Sequence, residues 1–199
     1  VFDGNIDVEL AQQNVTPGGT QGKAFTVDGN AIGKHPSFKP LSLNFDSNSI
    51  AELPSAKYLD AGQIRLHASY SDGGISLSGS SNPFWVSPDK LVVTTNVTSP
   101  HKAGDDFQLK VTAYNSQGGV TENYSPGDLQ LILQRTGPTT GTGFDGKLTY
   151  ADGLTLTSAL SPDPQSVSLA SFSDGVSTYD EAKYSEVGAI SLDVQDIGY

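Results

Sequence analysis

The stretch Tyr58-Leu59-Asp60-Ala61-Gly62-Gln63-Ile64-Arg65-Leu66 recurs in form at Tyr184-Ser185-Glu186-Val187-Gly188-Ala189-Ile190-Ser191-Leu192, an offset of 126 residues. Both read aromatic, x, acid, x, Gly, x, Ile, x, Leu. The string describes a tight corner entering an inner β-strand. Gly permits the close turn, the acid bonds backbone beside it, and Ile and Leu two residues apart share one face. A looser pair, Gly4-x-Ile6-x-Val8-x-Leu10 and Gly127-x-Leu129-x-Leu131-x-Leu133, stands at an offset of 123, each copy preceded by an aromatic, Phe2 or Tyr124. Two matches in the same order at nearly equal offsets predict two copies of one unit.

Around these corners the pattern is strand-like throughout. Period-two alternation marks residues 4–10, 41–45, 64–68, 107–113, 129–133, 167–169 and 190–194, the signature of half-buried antiparallel strands. Asp-Gly pairs beginning at Asp3, Asp28, Asp72, Asp145, Asp152 and Asp174 are read as turns, because Gly supplies a positive φ and Asp bonds neighbouring backbone. Helical periodicity is almost absent. The expected fold is all-β, two tandem β-sandwich units.

The 199 residues are enough for two modest cores. A net charge of −11 repels a phosphate backbone, so nucleic acid is not an expected partner. No apolar run approaches the roughly 20 residues of a membrane-spanning helix. The absence of Cys removes disulfides, thiolate metal sites and cysteine nucleophiles. With no Met and a leading Val1, the chain reads as an internal piece of a longer protein.

The boundary falls near Pro88. Pro83 and Pro88 are unsuited to a central ladder, so the strand carrying Phe84 and Val86 should be short and terminal. This gives units 1–88 and 89–199, the second opening with strands at 91–95 and 107–115. If Gly4 corresponds to Gly127, the first unit begins at its third strand and the second stops at or just after its sixth. Exposed edges would then pair with neighbours or be completed differently in each unit. The alternative is that residues 1–10 form the first strand of a complete short unit.

Chemistry-bearing motifs are sparse. His35, His67 and His101 lie in three segments without metal-binding spacing, and read as ordinary surface or core side chains. No nucleophile elbow, P-loop, dinucleotide fingerprint or zinc-protease motif is present, and the Ser-rich Gly79-Ser80-Ser81-Asn82 reads as a turn. Calcium is the one candidate ion, with Asp105 and Asp106 as candidate ligands, but no EF-hand string accompanies them. Trp85, the single Trp, has two readings. Either Phe84 and Val86 face the core while Trp85 packs at the joint between units, or Trp85 offers a platform on which a sugar stacks. The sequons at Asn14, Asn96 and Asn123 matter only in a eukaryotic secretory chain, and the composition reads as bacterial.

The corner string resembles the approach to strand F of immunoglobulin-like sandwiches. Ile and Leu stand where Tyr and Cys are common there, so neither a tyrosine corner nor an inter-sheet disulfide can form. That is the character of bacterial immunoglobulin-like domains held by apolar packing alone. Residues 58–68, Gly79-Ser80-Ser81-Asn82-Pro83-Phe84-x-Val86-x-Pro88 and 184–190 together resemble the C-terminal region of MshQ-like proteins of the mannose-sensitive haemagglutinin (MSHA) type IV pilus biogenesis cluster. Trp85 departs from that family's usual Pro-Phe-Val-Val. The resemblance implies a non-catalytic structural or adhesive module at the surface of a Gram-negative bacterium, extracellular or associated with the outer membrane or pilus. Its implied partners are neighbouring immunoglobulin-like units, pilus components or surface glycans. It carries over no catalytic residue and no cofactor. The alternative is a carbohydrate-binding or carbohydrate-active accessory domain using exposed aromatics.

Overall fold

The computed structural model describes residues 2–18, 22–140, 143, 145–151, 153–169 and 171–199. The described residues form strands, turns and irregular segments, with no helix. The chain divides into two compact units, Val1–Ser87 and Pro88–Tyr199.

Unit 1 runs β1 (Gly4–Thr16), β2 (Phe25–Val27), β3 (Asn30–Ala31), β4 (Gly33–Lys34), β5 (Lys39–Phe45), β6 (Lys57–Tyr58), β7 (Gly62–Asp72), β8 (Ile75–Ser80) and β9 (Phe84–Val86). The long β1 is central, antiparallel to β5 on one side and to β7 on the other, and β4 adds in parallel. The outer edge of β7 is covered by β8 and then β9. A small sheet, β3-β2-β6, supplies the second layer. Val8, Leu10, Leu43 and Ile64 of the large sheet pack with Phe25 and Val27 of the small one.

Unit 2 runs β10 (Lys90–Thr95), β11 (Asp106–Tyr114), β12 (Leu129–Gly137), β13 (Lys147–Ala151), β14 (Leu154–Thr157), β15 (Gln165–Ser166), β16 (Val176–Tyr184) and β17 (Ala189–Asp196). Two sheets, β10-β11-β16-β13-β14 and β15-β12-β17, enclose Phe107, Leu109, Leu131, Leu133, Leu148 and Tyr150. This is a β-sandwich in which each inner face contributes alternate residues.

The two Gly corners have matching geometry. A Cβ on Gly62, at φ +118°, would collide with the Thr16 carbonyl oxygen and approach Pro17 Cδ at 3.3 Å. A Cβ on Gly188, at φ +137°, would collide with the Gly137 carbonyl oxygen and approach Pro138 Cδ at 3.4 Å. Both prolines follow cis peptide bonds. The acids bond backbone as expected: the Ala61 N–H donates to Asp60 Oδ1 at 2.9 Å, and the Val187 N–H to Glu186 Oε1 at 2.8 Å. Each glycine stands over the end of the strand paired with its own, and each pair carries a register shift at that point.

The register corrects the looser sequence match. Asn14 faces Ile64 as Arg135 faces Ile190, and Leu10 faces Ala68 as Leu131 faces Val194. The offset between β1 and β12 is therefore 121 rather than 123. A slip of two residues leaves every side chain on its own face, so alternation alone could not detect it. Gln12, not Leu10, is the counterpart of Leu133.

Other expectations also shift. Asp28-Gly29 and Asp174-Gly175 have positive φ at both residues, as a two-residue hairpin requires, whereas the β7–β8 hairpin uses Gly73-Gly74. Gly146 does not take a positive φ; it is buried, and a Cβ there would lie 2.6 Å from the Tyr184 ring. Asp152 lies outside the described residues. Residues 167–169 follow β15 instead of forming a strand, although Val167 and Leu169 still pack on the core.

Candidate functional site

In unit 2 a cleft of about 520 Å³ opens between the edge strands of its two sheets. Val93 and Thr95 of β10 form one wall, and Ile190 and Leu192 of β17 the other, with Phe107 and Leu148 also lining it. The Tyr184 hydroxyl is engaged within the core, 2.8 Å from Ser158 Oγ, and accepts from the Gly146 N–H at 3.3 Å. Glu186 is occupied at its own corner. Ser99, His101 and Lys102 line the cleft as well, so it combines apolar side-chain seats with a polar margin.

Unit 1 has a smaller cavity of about 340 Å³ over the core face of its large sheet, lined by Leu10, Leu43, Phe45, Leu53 and Leu66 among others. Beside it the fold brings together two histidines that the sequence separates by 32 positions. The His35 and His67 rings stack at 4.3 Å between centroids and 24° between planes. The backbone N–H of His35 donates to the Gln12 carbonyl at 2.8 Å, fixing the first ring beside β1. His67, on β7, lies with Nε2 2.9 Å from Gln13 Oε1, which accepts its proton. Burial, then the neighbouring His35 and Arg65, push the His67 ring below the usual imidazole value. No spacing rule signals this pair, because it arises from the parallel contact of β4 with β1.

The remaining histidine, His101, sits with Nε2 3.2 Å from the Asp105 carbonyl and its ring edge-on to Phe107. Asp106 forms an ion pair with Lys183 at 3.1 Å. Asp105 is exposed, and its N–H donates to the Lys102 carbonyl at 3.2 Å. Among the described residues no group of three or more His, Cys, Asp or Glu side chains is gathered in a metal-holding arrangement.

Trp85 is 55% exposed on β9, opposite Gln63 of β7. Phe84, opposite buried Ile64, lies on the core-facing side yet remains 38% exposed. Phe84 and Val86 share that face of the edge strand β9, and Val86 packs against the core cluster. Two aromatic rings on consecutive residues are consequently presented to solvent from opposite faces of one strand.

Sequence reasoning also missed a buried polar brace in unit 1. Gln12 accepts from the Phe25 N–H and donates to the Lys23 carbonyl at 3.1 Å and to Asn14 Oδ1 at 3.3 Å. Buried Asp60 accepts from the Lys23 N–H at 3.0 Å. These bonds tie the segment leading to β2 against β1 and the corner. Their only sequence signal is a Gln at a core-parity position of a strand.

A family model described as a domain of unknown function (DUF6701), first Ig-like domain, matches residues 1–80, which span β1 to β8. No curated protein and no solved structure matches the chain. The fold is all-β, built of immunoglobulin-like β-sandwich units.

Proposed function

We propose that this chain is a non-catalytic structural or adhesive module of a cell-surface protein, with its two units arranged as tandem immunoglobulin-like repeats that space or present a binding face. The observation that carries the reading is the repeated corner: Gly62 over Thr16-Pro17 and Gly188 over Gly137-Pro138, each sealing a separate apolar core. The family description, a first Ig-like domain, supports a serial arrangement. The resemblance of the corner and Pro-Phe-x-Val strings to MshQ-like proteins supports placing the module in type IV pilus biogenesis or attachment at a Gram-negative surface. Its partners in this reading are neighbouring units, pilus components or glycans, and no cofactor is required.

Single-molecule extension of the whole chain tests the structural role. Two separate unfolding events are expected, each releasing chain at about 3.5 Å per residue. A single event, or hydrolysis of an offered polysaccharide, overturns it.

One observation favours a second reading, carbohydrate binding: Trp85 and Phe84 both reach solvent from one edge strand. A glycan array probed with the chain and with Trp85→Ala decides this, since specific binding lost in the variant establishes a sugar platform.

A further inference from the structure

The outer face of unit 1's large sheet carries an arginine without a protein partner beside an exposed indole. Val8, Leu10, Ile64 and Leu66 turn to the core, so by alternation Gln13 of β1 and Gln63, Arg65 and His67 of β7 stand on the opposite face. Gln13 lies opposite Arg65, and Trp85 of β9 lies opposite Gln63. Arg65 and Trp85 are therefore diagonal neighbours at about 7–8 Å, within reach of an aromatic and a long side chain. Farther along the same face His67 stacks on His35.

The charges here do not cancel. Among the described residues Arg65 makes no ion pair, and its buried Nε has no hydrogen-bond partner. With 22 Asp and Glu against 11 Lys and Arg in the chain, carboxylates are plentiful, yet none reaches this guanidinium. After burial, the charges that hold His67 below the usual imidazole value are those of His35 and Arg65, so the three groups lie within one another's field. Glu9, the nearest acid on this face of β1, is four residues from Gln13, roughly 13 Å along the strand. Its Oε2 accepts from Ser69 Oγ at 3.2 Å. Unit 2 lacks the constellation: it keeps Gln134 in the place of Gln13, but Ser191 and Asp193 stand where unit 1 has Arg65 and His67.

Resting on the carbohydrate-binding reading of Trp85, we propose that this face binds a carboxylate-bearing pyranose, with the sugar ring on Trp85 and its carboxylate on Arg65. The electron-rich indole face covers the C–H face of the ring. The guanidinium turns Nε and one Nη to the two carboxylate oxygens, which gives the orphaned Nε its acceptor in a planar, bidentate pair. The turn this requires is an ordinary change of rotamer on binding. Gln13 and Gln63 flank the ring with amide donors and acceptors suited to its hydroxyl groups.

The test titrates the whole chain with trigalacturonate and with 3′-sialyllactose, each alongside its methyl ester, by calorimetry and by amide chemical shifts. The esters keep the ring and lose the charge, and the acid that binds identifies the source of the carboxylate. That acid is expected to bind at least tenfold more tightly than its ester, and to shift the amides of Gln13, Gln63, Arg65 and Trp85 but not those of Ser191 and Asp193. Arg65→Lys, which keeps a charge without the fork, is expected to weaken the acid about tenfold, and Arg65→Gln to reduce it to the level of the ester. Trp85→Ala is expected to abolish both. The comparison of acid with ester uses the unaltered chain, so it holds whether or not a variant folds. Equal affinity for acid and ester, or affinity unchanged in both Arg65 variants, overturns the acid assignment and leaves the sugar platform standing. Acid binding that survives Trp85→Ala overturns the stacked ring. No binding of either acid overturns the proposal, while the sugar platform then stands or falls with the glycan array.

Discussion

Unit 1 and unit 2 turn the same corner but spend their strands differently. Unit 1 closes the edge beyond its corner strand with β8 and β9, yet backs its large sheet with three short strands, β3-β2-β6. Unit 2 backs its corner sheet with five strands, and among the described residues no strand pairs with the outer edge of β17. The difference teaches that the glycine corner is the invariant of this architecture, while the rest of each sandwich is completed by different means. Unit 1 compensates for its thin second layer with polar bracing, placing Gln12 where unit 2 places Leu133. Unit 2 buries Arg135 where unit 1 has Asn14.

Exchanging the residues at the first of these positions breaks the comparison most severely. Leu133→Gln is expected to destabilise unit 2 by about 4 kcal/mol, since it loses an apolar side chain and buries an amide in a site that offers leucine-shaped packing. Gln12→Leu is expected to cost unit 1 about 1–2 kcal/mol despite the gain in apolarity, because the Phe25 N–H and the Lys23 carbonyl lose their partner. Chemical denaturation followed by unit-specific amide exchange measures both. A neutral Gln12→Leu shows that the brace is dispensable.

The corner itself gives the next effect. Gly62→Ala and Gly188→Ala should each cost about 2–3 kcal/mol, from a positive φ and a Cβ driven into a carbonyl oxygen. Near-equal losses in the two units sharpen the case for one shared corner. Unequal losses above about 1.5 kcal/mol break it, given that single-site values carry errors well below that.

A smaller effect is expected at the buried cation of unit 2. Arg135 Nε donates to Asp145 Oδ1 at 2.8 Å, and Nη1 donates to the Pro138 carbonyl. Asp145→Ala leaves the guanidinium its carbonyl partner, and the carboxylate is half-exposed, so the expected loss is only about 1–2 kcal/mol in denaturant melts. Arg135→Met should recover most of it, because a well-packed apolar side chain replaces a desolvated charge.

The sequence made some of these features legible and hid others for physical reasons. The corners were readable because they combine a glycine with a fixed acid and two alternating aliphatics, and few other structures require that set. Strands 107–113, 129–133 and 190–194 were readable from alternation. β16, central in the five-stranded sheet, was not, because Val176-Ser-Thr-Tyr-Asp-Glu-Ala-Lys-Tyr184 buries Ser177, Ala182 and Tyr184 across a register shift that breaks the period. The cleft had no local signal, because its walls belong to β10 and β17, about 100 residues apart in sequence. The histidine pair had no local signal because a short parallel contact assembles it.

That pair supplies the finest distinction between the units, a pH response. Position 193, the counterpart of His67, is an exposed Asp, so unit 2 has no equivalent of the stacked rings. Burial, His35 and Arg65 all disfavour protonated His67, which places its folded-state value below the ordinary 6.5. The unfolded chain therefore takes up the proton at a higher pH than the folded one. This contribution to stability is fully present above pH 6.5 and is lost as pH falls through the lowered folded-state value. Asp196 titrates in a separate range: burial opposes its ionisation, but the Tyr124 hydroxyl and three backbone N–H groups hold it below 3.8. Its stabilising effect fades only at lower pH. Melts of the wild-type chain and of His67→Asn between pH 7.5 and 5 thus isolate the imidazole. Unit 1 of the wild type should lose stability across that range, and the variant should lose less. Unit 2 should respond alike in both. Identical slopes in wild type and variant would show that His67 titrates as if free, and would remove this electrostatic distinction between the two sandwiches.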